Sequence, residues 1–330
     1  MRVAGVIAEY NPFHLGHRHH LAEARRRSGC DYVVAAMGGS FSQRGEPMLL
    51  DKWARAKMAL LGGADLVVEL PALFAVRSAE GFAAGGVRLL AALSCDSLAF
   101  GCEVDDLELL RAMADALDDE SPAFREELKR SLAQGRSHAR ARGDALARCL
   151  SASPEAVGSP NAVLAVEYLR ANRRLAAPME PVLVPRVGGY HDTSLSGLAS
   201  ATAIRAALRS GRRADALAAM PAEAAAVLEA AWPGAADPAG LDNLLLYTLR
   251  RLSADDIAAL PDVSEGLERR VKRCAESAHD RASLIEAVKC KRYTHARLSR
   301  LCCHALLGLT RTLTAQVPQP PYARLLGFRR

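Results

Sequence analysis

The stretch Arg2 to His20, RVAGVIAEYNPFHLGHRHH, limits the fold more than any other part of this chain. Val3 to Ala8 is a short, β-branched apolar run that reads as a buried strand, and a polar loop with Asn11 and Pro12 follows it. The chain then enters a helix, with His14, Gly16 and His17 at its start in the spacing H-x-G-H. Free N–H groups and the positive dipole end of a helix attract phosphate, and two imidazoles can donate hydrogen bonds to phosphoryl oxygens as charge grows on them. Gly16 leaves room for a nucleotide against the backbone. Strand, turn and helix start together make a phosphate site suited to adenylyl transfer.

The rhythm repeats along the chain. Tyr32 to Met37, Ala64 to Leu70, Asp96 to Phe100 and Pro181 to Pro185 read as further strands, with helices at His17–Ser28, Trp53–Leu61 and Ser78–Leu93 between the first ones. This alternation predicts a parallel sheet with helical crossovers, an α/β fold. Ligands of such sheets lie beyond the carboxyl ends of the strands, here Glu9, Gly38, Glu69 and Gly101. Asp105 to Cys149 reads as helical, and its basic part, Arg136 to Arg148, as a solvated face. A helix opening at Ser159 and Pro160 carries Asn161 in its first turn. The last strand runs into Arg186, Gly188, Gly189, Tyr190, His191 and Asp192. Ser200 to Arg205, SATAIR, then places hydroxyls and a guanidinium at another helix start, which is either a second phosphate turn or a plain hydroxyl cap.

From Ala207 onward the pattern is helical, rich in Ala and Leu and without a further strand, so 330 residues divide into an α/β domain over 1–206 and a smaller all-helical domain over 207–330. No apolar run approaches the length of a membrane span and no signal-peptide pattern is present, which points to a cytoplasmic protein with no membrane partner. The eight cysteines, at 30, 95, 102, 149, 274, 290, 302 and 303, show no metal-ligand spacing and read as small buried hydrophobes. No protein-borne metal site is expected.

Several segments, in this order, resemble the tRNA(Met) cytidine acetate ligase family, bacterial members of the HIGH-motif nucleotidyltransferase superfamily: GVIAEYNPFHLGH, SFSQRGEP, DKWARAKMALLGGADLVVELP, FGCE, SPNAVLAVEYL, GGYHD, SATAIR and KRYTHARLSRL. The resemblance implies a Rossmann-like, HIGH-type catalytic domain that activates acetate with ATP to acetyl-adenylate. The acetyl group then passes to N4 of the wobble cytidine of elongator tRNA(Met), with Mg2+ expected alongside the ATP phosphates. It further implies an ATP site made of Ile7, Ala8, Glu9, Tyr10, Asn11, Pro12, Phe13, His14, Leu15, Gly16, His17, Arg18, His19 and His20, with Gly101, Asn161 and Arg186. His14 and His17 would stabilise the α-phosphoryl transition state. SATAIR resembles the superfamily's second phosphate motif, with Ala199 and Ala201 in place of an Ile and a Ser and with Ser200, Thr202 and Arg205 retained. Family members extend beyond the Pro-Pro-Tyr segment, so a shortened helical domain is expected here. Other members of the superfamily act on small molecules or on a protein-bound thiol, and a nucleotide-binding RNA chaperone without catalysis is the reading outside enzymology.

The basic tail separates these readings. Of 43 bases, nine lie between Ala287 and Arg330, a segment without Asp or Glu, although the formal net charge of the whole chain is only +6. Lys289, Tyr293, Arg297, Arg300 and His304 recur at spacings that predict one stripe of a single helix, with Leu298, Leu301, Cys302, Ala305 and Leu309 on another face. That helix would pack by its apolar face and offer Lys289, Arg297 and Arg300 to an RNA backbone, with Tyr293 available to stack on an exposed base.

Overall fold

A computed structural model of the chain describes residues 1–186, 198–264 and 266–329. Its centre is a six-stranded sheet in the order β5-β4-β1-β2-β3-β6, formed by β1 (Val3–Ala8), β2 (Tyr32–Gly38), β3 (Leu66–Leu70), β4 (Ser97–Cys102), β5 (Glu180–Pro185) and β6 (Arg324–Phe328). The first five strands are parallel, and β6 lies antiparallel on β3. Ala4, Gly5 and Val6 at the middle of β1 are all buried, as expected of a strand covered on both faces. Helix α1 (Leu15–Ser28) follows β1, α2 (Lys52–Leu61) leads into β3, and α3 (Ala79–Ala92) leads into β4. On the α3 side lie α4 (Pro160–Arg173) and the helices Leu107–Asp119, Pro122–Ala133 and His138–Cys149, three elements where a single helical stretch was expected.

Helices α5 (Ala201–Arg209) and α6 (Ala222–Ala231) pack on the other face, and Ile204, Ala207, Val227 and Leu228 share one apolar cluster with Val6, Leu21 and Met58. The line drawn between 206 and 207 therefore runs through a continuous core. A separate helical cluster spans Leu245 to Ala305 and includes α7 (Arg281–Val288) and α8 (His295–Leu307). The chain then returns to the sheet as β6, which corrects the expectation of no strand beyond Ala207. Of the cysteines, Cys149 is exposed and Cys274 and Cys290 are half-buried, whereas the others are buried as anticipated.

A hairpin joins the helical cluster to the sheet. Met48 N–H donates to the Ser40 carbonyl at 2.9 Å and Ser42 N–H to the Glu46 carbonyl at 2.8 Å, so residues 40–48 fold back on themselves. Gly45, at φ +77°, forms the tip, and a Cβ there would stand 2.6 Å from the Ser299 carbonyl oxygen and 2.7 Å from the Arg300 backbone nitrogen. Only glycine satisfies both the left-handed backbone and that approach to α8. Arg281 of α7 donates to the Gly45 carbonyl at 2.9 Å, and buried His304 bonds the Val76 carbonyl at 2.7 Å.

Candidate active site

The loop after β1 is built on its own aromatic rings. Tyr10 takes a left-handed φ of 49°, unusual for so bulky a residue, and its ring meets those of Phe13 and His17 edge-on, each at 5.0 Å. Asn11 is buried; its side-chain oxygen accepts from Leu49 N–H at 2.8 Å, and its carbonyl accepts from Arg205 at 2.7 Å. These bonds deliver the chain to His14, the N-cap of α1.

The cap fixes both imidazoles. His14 Nδ1 accepts from Gly16 N–H at 3.1 Å, while His17 Nδ1 accepts from His14 N–H at 3.2 Å, a reciprocal capping box. In each neutral ring the proton must then sit on Nε2, so both side chains are N–H donors at the start of the helix. Burial holds them neutral, helped by the nearby Arg186 charge. The His14 pKa falls to about 3, the His17 pKa lies well below its usual value, and that of His20, one turn on, falls to about 4. The His14 and His17 rings stand 3.7 Å apart, and a Cβ on residue 16 would reach within 2.9 Å of the His14 ring. Glycine is thus needed first for the imidazole, before any nucleotide is considered.

Across the strand ends, Glu103 gathers three elements. Its carboxylate accepts from Ser159 Oγ at 3.1 Å and from the Asn161 side-chain amide in the first turn of α4, and it pairs with Arg186, just after β5, at 3.4 Å. Gly101, which lies within β4 rather than after it, backs onto Arg186 and His20, whose side-chain carbons would each be 3.4 Å from an added Cβ. Ser200 caps α5 by accepting from Ala203 N–H at 3.1 Å, and Arg205 bonds Thr202 Oγ1 at 3.3 Å as well as the Asn11 carbonyl. The second motif is therefore physically joined to the first. GGYHD, residues 188–192, lies outside the described residues.

Two histidine donors stand at a helix start, with the guanidiniums of Arg205 and Arg186 near the carboxyl ends of β1 and β5, and the family model for the HIGH nucleotidyl transferases matches residues 1–330. The chain belongs to the HIGH nucleotidyl transferase family. Among its relatives, the tRNA(Met) cytidine acetate ligase of Caldanaerobacter subterraneus subsp. tengcongensis is 38% identical over 336 residues, which cover 99% of this chain and 83% of that protein. The enzyme of the same name from Clostridium kluyveri is 38% identical over 344 residues, 99% of this chain and 84% of its own. The crystal structure of Thermotoga maritima TmcAL bound with alpha-thio ATP superposes with a TM-score of 0.90 at 34% identity, covering 99% of this chain and 80% of that one. The apo form of the same protein gives 0.91 at 35% identity, over 99% and 81% of the two chains.

Not every residue of the first motif faces the strand ends. Arg18 turns to Glu223 on α6 at 2.6 Å, His19 is exposed, Leu15 N–H meets the Ala219 carbonyl, and Ile7 and Ala8 are the last residues of β1. Sequence reasoning also missed Arg55 and the role of Glu103. Arg55 is 0% exposed and donates to the carbonyls of Leu50, Glu9, Gly38 and Gly39, tying the ends of β1 and β2 together. Desolvation draws its pKa down to about 10, with Glu9, Asp51 and Glu69 opposing the fall. Its only trace in the sequence is an Arg among the small and apolar residues on the inward side of α2, and its partners are main-chain atoms that no motif encodes.

The tail departs from the single helix predicted for it. Lys289 ends α7 and Tyr293 lies in the turn before α8, so only Arg297, Arg300 and His304 share a helix. Tyr293 is 7% exposed with Arg297 stacked on it at 5.2 Å, which removes it as a base-stacking platform. Arg297 donates to the Asp262 carbonyl at 2.8 Å, and Arg300, its side chain 11% exposed, pairs with the Asp262 carboxylate at 2.9 Å. The stripe read as outward-facing packs inward because Asp262, distant in sequence, supplies its counter-charge. Exposed cations do remain at Lys289, Lys291 and Arg292. Arg136, Arg140, Arg142 and Arg148 pair with Asp144, Glu167 and Glu127, as a solvated helix face would.

Proposed function

We propose that this protein is a tRNA(Met) cytidine acetate ligase. It activates acetate with ATP and passes the acetyl group to N4 of the wobble cytidine of elongator tRNA(Met), releasing AMP and diphosphate. The observation that carries this reading is the pair of imidazoles locked as Nε2–H donors at the start of α1, in a chain that matches ligases of that name over 99% of its length. When the acetate oxygen attacks the α-phosphorus, negative charge grows on the phosphoryl oxygens and on the departing diphosphate. His14 and His17, already oriented, meet that charge without rearrangement, and Arg186 and Arg205 add positive charge on either side. The neutral rings also avoid mutual repulsion at 3.7 Å.

Among the described residues no group of three or more His, Cys, Asp or Glu side chains could hold a metal; Mg2+ would accompany the ATP phosphates, its usual ligands. Among the same residues no helix is long and apolar enough to cross a membrane. The tRNA would lie along the exposed cations of the helical cluster, Lys289, Lys291 and Arg292, with Arg297 at their border. Incubation with ATP, labelled acetate and bulk tRNA, omitting each in turn, tests the reading. Label in tRNA that requires all three is expected, and transfer without ATP would overturn it.

A further inference from the structure

Glu9 is out of place for a phosphate ligand. It stands just past the end of β1, ahead of the histidine loop, where a carboxylate opposes the charge of a bound triphosphate. The hairpin at 40–48 nevertheless holds it there: Glu9 Oε1 accepts from Gln43 N–H at 2.6 Å, and Gln43 is itself tied by its side-chain amide to the Arg77 carbonyl at 2.6 Å. Its other oxygen has no hydrogen bond or ion pair with any described residue. Burial raises its affinity for a proton, against the pull of the Gln43 bond and of the Arg205, Arg55 and Arg44 charges, and the Arg205 charge also reaches His14. The carboxylate and the phosphate-side imidazole thus share one guanidinium.

A fixed acceptor with one open oxygen suits a donor, and the second half of the reaction brings one. We infer that Glu9 receives the N4 amine of the acceptor cytidine, orienting it and taking its proton during acetyl transfer. An ionised carboxylate is the natural partner of the cytosine exocyclic amine. The N4 lone pair forms the new C–N bond at the acetyl carbon, the bond from that carbon to the phosphate oxygen breaks, AMP leaves with the electron pair, and the N4 proton passes to the open oxygen of Glu9. The inference rests on the proposed ligase activity and assigns the acceptor end of that same site.

Glu9→Gln separates the two half-reactions, because the amide oxygen can still accept from Gln43 N–H while the base is lost. Acetyl-adenylate is trapped with hydroxylamine as acetohydroxamate, and transfer is measured with labelled acetate and tRNA(Met). Transfer should fall roughly 100-fold or more, and about 20-fold or more further than trapping, the effect of removing a positioned base from the second half-reaction. Residual transfer in the variant should climb steadily with pH instead of levelling off, with Arg205, Arg55, Arg44 and Tyr168 the charged or titratable groups around the site. Glu9→Asp, which keeps the base one methylene back, should recover more transfer than Glu9→Gln, and both should melt near the wild-type temperature. A parallel loss of trapping and transfer would place Glu9 in adenylation, and unchanged transfer would remove it from the chemistry; either overturns the inference and leaves the ligase reading intact. Wild-type protein that yields no hydroxamate at all would overturn that reading first.

Discussion

His14 and His17 each have a double duty, cap and donor, and replacement exposes both. Substituting either by Ala should slow acetate-dependent pyrophosphate exchange roughly 100-fold, since a lost donor to developing charge raises the barrier by about 2.7–4 kcal/mol. Loss of the cap at His14 alone should cost about 1 kcal/mol of stability, read from urea unfolding. Buried neutrality has a second signature. Unfolded histidines titrate near 6.5, whereas His20 and His14 resist protonation down to about 4 and about 3 in the folded protein. Between those values the unfolded state takes up protons that the native state refuses, so stability is full above the unfolded pKa and falls as pH drops through that window. The melting temperature should decline from pH 7 to pH 4, and less steeply in His20→Asn; equal slopes would show that these rings carry no linkage. The H-x-G-H spacing announced the donors. It could not reveal which ring nitrogen carries the proton, because that follows from the local capping geometry, in which the Gly16 and His14 amides donate to the two Nδ1 atoms.

At the scale of elements, the ends of β4 and β5 and the start of α4 converge on Glu103, which bonds Ser159 and Asn161 and pairs with Arg186. Arg186→Ala and Asn161→Ala should each weaken ATP binding without unfolding the protein. Glu103→Ala should do the same indirectly by releasing Ser159, Asn161 and Arg186 together, and equilibrium binding of a fluorescent ATP analogue would read all three. A Glu103→Ala protein with unchanged affinity would reduce that junction to packing. The parallel strands were legible because a strand covered on both faces must be a short apolar run, whatever its neighbours. β6 was not: RLLGF buries only Leu326 among its residues and owes its conformation to pairing with β3. An edge strand defined by its partner leaves little pattern of its own.

On the scale of the whole molecule, local charge counting misled most. The acid-free tail draws its counter-ions from elsewhere, Arg324 from Glu69 at 3.2 Å, Arg300 from Asp262 at 2.9 Å and Lys289 from neighbouring Glu286 at 3.6 Å. Reversing Arg297 and Arg300 should therefore unfold the helical cluster before it informs on RNA. Lys291→Glu with Arg292→Glu is the cleaner pair. It should weaken tRNA binding and flatten its salt dependence by roughly 0.7–0.9 in log–log slope for each phosphate deprived of its cation, while pyrophosphate exchange continues. An unchanged slope would move the RNA surface elsewhere. Because the tip of the hairpin at Gly45 is wedged against α8 while its near side grips Glu9, the helical cluster cannot tilt on the sheet without carrying that carboxylate along. If Glu9 receives the acceptor amine, this joint sets how the two half-reactions are aligned, and loosening it would blur the aim of transfer before it weakened the hold on ATP.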